Sequence, residues 1–260
     1  MPLDHGSDIV NQAVTSDAFL GGRLKLLQPR AGFRAGLDSV LLGAAVGAAR
    51  GALLDLGAGV GTAALVALTH RPELSALLVE NEPEALELAA QNIAANGFAG
   101  RAEPIPLDIL DSAAAHAAAG LRRDHYAAVI ANPPFFAAGQ GTRARGAERA
   151  RARQMDAAAL DTWARVAAGA AAPAGEVIFV MPAEALAPLL ASFDRRFGAL
   201  TLLPLAPRPG LPASRVLIRG IKGSRAPLTL LSTRALHEME GNAFSPEFVA
   251  ILTGATPLLW

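Results

Sequence analysis

The chain contains no cysteine, which excludes disulfide bonds and thiolate metal sites. Its five histidines are scattered without the spacing of metal ligands, so no metal is expected. Charged residues make up only 18% of the chain, yet no stretch of about 20 residues is free of both charges and helix breakers, which argues against a membrane span. The opening residues, MPLDHGSD, lack the basic and apolar regions of a signal peptide. These absences predict a cytoplasmic protein with neither a membrane nor a metal partner.

Apolar side chains are abundant. Hydrophobic residues make up 52% of the 260 residues, and the mean hydropathy is +0.33. This much apolar surface offsets the entropy cost of ordering the chain, which excludes an intrinsically disordered protein. The length suits one large α/β domain, or such a domain with a small extension.

Lysine is nearly absent, since the 23 basic residues are arginines except for Lys25 and Lys222. The formal net charge is zero, but residues 1–141 carry 9 basic against 14 acidic side chains, and residues 142–260 carry 14 against 9. Guanidinium groups suit phosphates, so an arginine-rich run in the second half is a candidate contact for a nucleic-acid backbone. A solvated loop and helix face fits the same pattern. The run consists of Arg143, Arg145, Arg149, Arg151 and Arg153.

Short apolar runs alternate with helical patterns from about residue 51, which predicts a parallel sheet covered by helices on both faces. A hairpin over 19–33 and a helix over 38–49 are predicted before it. We therefore expect an N-terminal cap at 1–50, a core at 51–225 and a C-terminal extension at 226–260 packed on the core. The predicted core strands are 52–56, 76–80, 104–107, 126–131, 176–181, 200–205 and 215–221, and the helices are 60–70, 83–96, 113–119, 157–172 and 183–197.

A glycine-rich segment, LLDLGAGVGT at 53–62, follows the first predicted core strand. Gly57, Gly59 and Gly61 would let the backbone turn sharply and approach a ligand at the start of the next helix. Asp55 is a candidate to order the loop amides or to bind an amino group of the ligand. Because any tight strand-to-helix turn uses glycine, the loop alone does not identify a cofactor site.

Acidic residues end the next two strands. Glu80, followed by Asn81, stands where a carboxylate accepts hydrogen bonds from both ribose hydroxyls of a nucleoside. Asp108, followed by Ile109 and Leu110, is placed to accept from an adenine amino group beside two apolar side chains.

The fourth motif, YAAVIANPPFF at 126–136, ends a buried strand in Asn132-Pro133-Pro134-Phe135. The prolines stiffen the turn and cannot donate hydrogen bonds, so the Asn132 side-chain oxygen and the Pro133 carbonyl are both free to accept from one planar amine. Phe135 is suited to stack on the ring that bears this amine. The motif therefore predicts chemistry on an aromatic amino group.

These four motifs, taken in order, resemble the class I S-adenosylmethionine-dependent methyltransferases of the amino-group type. Three longer segments, at 16–45, 86–98 and 203–223, resemble the bacterial tRNA(Val) adenine-N6 methyltransferase family. One departure is Phe135, which stands where many amino methyltransferases have tyrosine. Phenylalanine keeps the stacking surface but lacks the hydroxyl group of tyrosine.

The resemblance implies a Rossmann-like fold with a seven-stranded, mostly parallel sheet of order 3-2-1-4-5-7-6, helices on both faces and the seventh strand antiparallel. It implies S-adenosylmethionine as cofactor, S-adenosylhomocysteine as product, and adenine N6 at position 37, beside the anticodon of a valine tRNA, as acceptor. It also puts Asp38 near the methionine end of the cofactor. The expected catalytic residues are Asn132, Pro133, Pro134 and Phe135, and the expected cofactor residues are Asp38, Asp55, Gly57, Gly59, Gly61, Glu80, Asn81, Asp108, Ile109 and Asn132.

Other acceptors fit part of this pattern. NPPF also occurs in enzymes that methylate guanine N2 in rRNA. Enzymes that methylate a protein glutamine carry a sizeable helical domain before the core, which the short stretch ahead of Asp55 does not match. The GxGxG spacing disfavours a nicotinamide dehydrogenase, and the intact Asn132 and Phe135 disfavour a binding module that has lost catalysis.

Overall fold

The computed structural model describes residues 14–30, 34–134 and 146–260, with the backbone alone for 146–156. A twisted sheet runs through its centre and helices lie on both faces. The strands are β1 (Val14–Phe19), β2 (Leu24–Pro29), β3 (Arg50–Leu56), β4 (Glu73–Glu80), β5 (Ala102–Pro106), β6 (Tyr126–Ala131), β7 (Ala171–Pro182), β8 (Phe197–Ala206), β9 (Arg215–Lys222), β10 (Thr229–Leu230) and β11 (Arg234–Ala235). The helices are α1 (Leu37–Ala44), α2 (Thr62–His70), α3 (Pro83–Ala95), α4 (Ala113–Ala118), α5 (Gly146–Ala170), α6 (Leu186–Asp194) and α7 (Pro246–Leu252).

The predicted sheet order is confirmed. Its seven long strands lie in the order β5-β4-β3-β6-β7-β9-β8, which is 3-2-1-4-5-7-6 when they are counted from β3. The first five pair in parallel, and β9 is antiparallel to both of its neighbours. Two additional strands of two residues each, β10 and β11, pair with β8 at the edge, so the sheet has nine strands rather than seven.

Alternate residues of the central strands enter two separate cores. Leu53 belongs to the core beneath α1, α2 and α7, whereas Leu54 and Leu56 belong to the core beneath α5 and α6. Side chains of successive strand residues point to opposite faces, so both faces of this sheet are apolar. The strands consequently read as continuous apolar runs, as parallel strands do when helices cover both faces.

Some helix bounds differ from the predicted ones. Helix α1 stops at Ala44 rather than residue 49, because the amides of Gly47 and Ala48 both donate to the Glu176 carboxylate, each at 2.7 Å, instead of to helix carbonyls. Helix α5 begins at Gly146 rather than residue 157, since the added residues are mostly alanine, arginine, glutamate and glutamine, which favour helices. The predicted helix over 183–197 divides into a 3-10 turn and α6.

The N-terminal hairpin covers residues 14–29 rather than 19–33, with β1 and β2 antiparallel on either side of a 3-10 turn at Leu20–Gly22. It is attached to α3 through the side chain of Asn92, which is fully buried. The Asn92 amide accepts from Leu27 N at 2.7 Å and donates to the carbonyls of Leu27 and Val60, both at 3.0 Å. Because Val60 lies in the glycine-rich loop, one amide joins the hairpin, α3 and that loop.

Within the described residues, no helix is both long and apolar enough to cross a membrane.

A substitution of Gly43 tests how closely α1 packs on α2, because this glycine lies at the contact between the two helices. A Cβ at this position would lie 2.2 Å from the Ala63 carbonyl oxygen and 2.8 Å from the Val66 Cβ. Gly43→Ala should therefore destabilise the protein by about 1–3 kcal/mol, although alanine is the better helix former. Urea unfolding measures this free energy.

Gly169→Ala in α5 is the matched control, because a Cβ there meets no atom within 4 Å. It should leave stability unchanged or raise it by at most about 1 kcal/mol. Equal effects of the two substitutions would show that helix packing at Gly43 is not the constraint.

Candidate functional site

The predicted motifs meet at the edge of the sheet where the parallel strands β3 to β7 end, which we call the carboxyl edge. Leu56 is in register with Val79 on one side and with Ala131 on the other, and Glu80 is in register with Pro106. The glycine loop, Glu80, Asp108 and Asn132 therefore follow four neighbouring strands at one level. In open α/β sheets this is the edge that binds ligands.

The glycine loop is held tightly against the sheet. Gly57 and Gly61 have φ values of 66° and 88°, which side-chain-bearing residues rarely adopt. A Cβ on Gly57 would lie 2.5 Å from Trp163 of α5, and one on Gly61 would lie 2.9 Å from Leu78. Both the backbone conformation and the lack of space thus require glycine. Between them, Gly59 donates its amide to the Glu80 carboxylate at 2.7 Å.

Asp55 lies beneath this loop with only 2% of its surface exposed. Its carboxylate accepts from Ala64 N, in the first turn of α2, at 3.1 Å. Burial raises the pKa of Asp55 from 3.8 to about 7; the Ala64 hydrogen bond opposes this rise and the charge of Glu80 adds to it. Asp55 thus anchors the start of α2, through an amide of that helix rather than through an amide of the glycine loop.

Glu80 organises the backbone around the edge. One carboxylate oxygen accepts from Gly59 N, and the other accepts from Asn81 N at 2.8 Å and Glu82 N at 2.9 Å. A carboxylate has about four acceptor positions, so one remains open on the oxygen bound to Gly59. One ligand hydroxyl fits the existing geometry, and a second would displace one of the three amides.

Asp108 follows β5, the strand next to the one that Glu80 ends. Its carboxylate accepts from Leu110 N at 2.8 Å and from the Asn81 side chain at 3.4 Å, while its carbonyl lies 3.3 Å from Nε2 of His116. Ile109 is buried in the core beneath α5, and Leu110 is 59% exposed. The two apolar residues therefore differ, since only Leu110 presents its side chain to solvent.

Asp38 is brought to this part of the molecule by α1, where it lies in the first turn. It forms an ion pair with Arg215 at the start of β9, at 2.5 Å. Each side chain is about one-third exposed, so the pair is within reach of solvent. Asp38 is therefore neutralised in part before any ligand binds.

Asn132 and Pro133 directly follow β6, beside the glycine loop and between β3 and β7. Asn132 is half-buried, Pro133 is buried and Pro134 is exposed. Phe135, the fourth residue of the motif, lies outside the described residues, as do Arg143 and Arg145. Arg149, Arg151 and Arg153 fall in the first turns of α5, of which only the backbone is described.

Four residues outside the predicted set of site residues contribute to the site. Trp163 packs on Gly57, Arg215 pairs with Asp38, and His116 contacts the Asp108 carbonyl. Thr62, at the start of α2, has a buried hydroxyl without a hydrogen-bond partner among the described residues. Of these four residues, only Thr62 could have been identified from the local sequence, because it directly follows the last glycine of the loop. Within the described chain, no group of three or more His, Asp or Glu residues could hold a metal ion.

Comparisons with known proteins agree with this geometry. A family model described as "Methyltransferase small domain" matches residues 37–161. A tRNA1(Val) (adenine(37)-N6)-methyltransferase from Actinobacillus succinogenes is 29% identical over 90% of this chain and 95% of its own. A protein of the same name from Aeromonas hydrophila subsp. hydrophila is 31% identical over 73% of this chain and 77% of its own. The crystal structure of a predicted O-methyltransferase from Agrobacterium tumefaciens has a TM-score of 0.72 at 28% identity, covering 85% of this chain and 98% of that one.

The raised pKa of Asp55 predicts a pH dependence of stability. Between about pH 4 and pH 7 the folded protein keeps a proton that the unfolded chain releases, so the contribution of Asp55 falls as pH rises, by at most about 1.4 kcal/mol per pH unit. Asp55→Asn keeps an acceptor for Ala64 N and removes the titration. Its unfolding free energy relative to the native protein should therefore be higher at about pH 8 than at about pH 5.

Urea unfolding at the two pH values measures this difference. Asp161→Asn is the control, because Arg196 holds the pKa of Asp161 below its usual range and its titration lies below both pH values. A pH-independent difference for Asp55→Asn would mean that Asp55 is ionised throughout.

Proposed function

Because the chain belongs to the family of the tRNA1(Val) (adenine(37)-N6)-methyltransferases, we propose that it methylates the exocyclic N6 amine of an adenine in tRNA, at position 37 beside the anticodon of a valine tRNA. The observation that carries the proposal is the meeting of the glycine loop, Glu80, Asp108 and Asn132 at one edge of the sheet. The glycine loop, Glu80 and Asp108 suit a nucleoside cofactor, and Asn132 suits the amine of the methyl acceptor.

The cofactor is S-adenosylmethionine, which supplies an electrophilic methyl group when bound and leaves as S-adenosylhomocysteine. The residues present fit it. Glu80 has one open acceptor position for a ribose hydroxyl. The Thr62 hydroxyl, which has no hydrogen-bond partner among the described residues, lies at the start of α2, where polar ligand groups meet helix amides. Asp108 is the acceptor for the adenine amine, beside Ile109. Asp38, with Arg215, lies by the methionine end.

Asn132 holds the acceptor base. Its side-chain oxygen and the Pro133 carbonyl accept the two N–H groups of the amine, which orients the nitrogen lone pair for in-line attack on the methyl carbon. Both oxygens carry partial negative charge, so they stabilise the positive charge that develops on the nitrogen. The methylated nitrogen then releases a proton readily, and no strong base is required beforehand. Phe135 stacks on the base, which is flipped or presented from a loop.

The arginine run after the motif is the proposed contact for tRNA phosphates. Arg149, Arg151 and Arg153 belong to the first turns of α5, the helix whose Trp163 packs on Gly57. Together with Arg143 and Arg145 they follow the amine-binding turn in the chain, and guanidinium groups suit the phosphates of an RNA backbone.

The function is tested with purified protein, tritiated S-adenosylmethionine, and total tRNA and rRNA from a strain that lacks the gene. Digestion to nucleosides should yield label in N6-methyladenosine from tRNA. Label in N2-methylguanosine from rRNA would replace the proposed substrate while keeping amine chemistry. Absence of label from both RNAs, with S-adenosylhomocysteine still bound, would contradict an RNA substrate and direct the search to protein glutamines.

Two substitutions separate the roles of the motifs. Asn132→Ala should lower kcat by roughly 100-fold or more, because it removes an acceptor for the developing charge, and should leave the Kd of S-adenosylhomocysteine nearly unchanged.

Glu80→Gln should raise the Kd of S-adenosylhomocysteine roughly tenfold and leave kcat at saturating cofactor nearly unchanged. Single-turnover methylation and calorimetric titration measure the two quantities. Near-normal turnover in Asn132→Ala would remove Asn132 from the mechanism.

A further inference from the structure

A concave surface lies at the opposite edge of the sheet, where β6 and β7 begin, which we call the amino edge. The cavity has a volume of about 610 Å³ and lies between α4, the turn at 121–124, the last turns of α5 and the end of β9. We call it the amino-edge cavity. Its charged lining consists of Arg122, Arg123, Asp124, Arg165 and Lys222.

Four of these five charged residues are basic, although the chain as a whole has no net charge. Arg122, Arg123 and Arg165 are exposed. A concave surface lined mainly by charges of one sign concentrates the potential and attracts ions of the opposite sign. The amino-edge cavity is thus a local excess of positive charge.

The contacts among the described residues pair the acid with the lysine and leave the three arginines without a carboxylate partner. Lys222 donates to the Asp124 carboxylate at 2.5 Å and to the Ala171 carbonyl at 2.7 Å. The carbonyl of Gly169, at the end of α5, is bonded to Asp124 N. Arg122 contacts the ring of His125 at 3.0 Å. In the described part of the chain, none of the three arginines has a carboxylate within ion-pair distance.

We propose that the amino-edge cavity binds backbone phosphates of the RNA substrate, at a distance from the reacting base; the identity of that RNA rests on the proposed function. Guanidinium groups bind phosphate oxygens in pairs and are weakly hydrated, so three of them around one concavity match a phosphodiester chain.

The distance between the carboxyl edge and the amino edge of the sheet determines which part of the RNA the amino-edge cavity contacts. From Asn132 to Tyr126 the chain runs along β6, which spans roughly 20 Å at the usual rise of a strand. His116 of α4 lines the cavity and also contacts the Asp108 carbonyl, so the cavity extends from α4 towards the amino edge. The phosphates bound by its arginines therefore lie well away from the target base, in a stem or a distant strand. An isolated short loop RNA does not reach it, whereas a complete tRNA does.

The test compares Arg122→Gln/Arg123→Gln with the native protein in binding fluorescent full-length tRNA over a range of salt concentrations. We expect the Kd and the KM for tRNA to rise about tenfold, as for the loss of one charge-assisted hydrogen bond, while kcat and the Kd of S-adenosylhomocysteine stay unchanged. The slope of log Kd against log salt concentration should fall by roughly one for each phosphate that the variant no longer binds. Binding of a short anticodon-loop RNA should not change.

Two control variants bracket this result. Arg50→Gln removes an exposed arginine outside the cavity, opposite Glu73 in the β3–β4 register, and should not alter tRNA binding. Asp124→Asn removes the cavity's acid and should tighten binding. Asparagine tolerates the left-handed backbone at this position, where φ is 49°.

Native affinity and native salt slope in the double variant would overturn the proposal. The proposal would also be overturned if the double variant no longer bound inorganic phosphate but still bound tRNA with native affinity, because the cavity would then bind a small anion. Binding is measured without turnover, so the two proposals fail separately. If the native protein methylates no tRNA but the double variant loses tRNA binding, the result supports RNA binding by the cavity and contradicts adenine N6 of tRNA as the methyl acceptor.

Discussion

The parallel register of β3 with β4 and β6 is the constraint on which the candidate site depends. Leu56 pairs with Val79 and with Ala131, so the glycine loop, Glu80 and Asn132 leave the sheet at one level. A slip of one residue would turn every apolar side chain of a strand to the opposite face. Because cores cover both faces, register is held by packing on two sides, and the short bond from Gly59 to Glu80 depends on it.

Two buried carboxylates determine the backbone conformation at the start of α2 and at the end of α1, which local sequence patterns do not determine. Asp55 holds the start of α2 through Ala64 N, and Glu176 stops α1 through the amides of Gly47 and Ala48. Burial raises the pKa of both groups, and the backbone hydrogen bonds oppose that rise. A buried carboxylate is costly unless it is well bonded, so each makes one arrangement of its neighbouring loop much more favourable than others.

Charge is divided between the two edges of the sheet. Glu80 and Asp108 give the carboxyl edge a polar, acidic character, which suits hydroxyl and amino groups and disfavours phosphates. Asp38 is partly neutralised by Arg215. Further arginines belong to the first turns of α5, which follow the Asn132 turn in the chain, and to the amino-edge cavity. An RNA acceptor fits this division, since its base must enter the carboxyl edge while its backbone is held by cations at other places.

The sequence by itself determined the alternation of strands and helices, the sheet order that the resemblance implied, and the position of each motif after its strand, because apolar periodicity and turn residues are local signals. It missed the early start of α5 and the early end of α1, since the latter depends on Glu176, far along the chain. Only the tertiary structure decided that Arg215 meets Asp38, that Trp163 closes on Gly57, and that residues of α4, α5 and β9 form one basic cavity. Such contacts join distant residues through strand order and helix packing, and no local pattern encodes them.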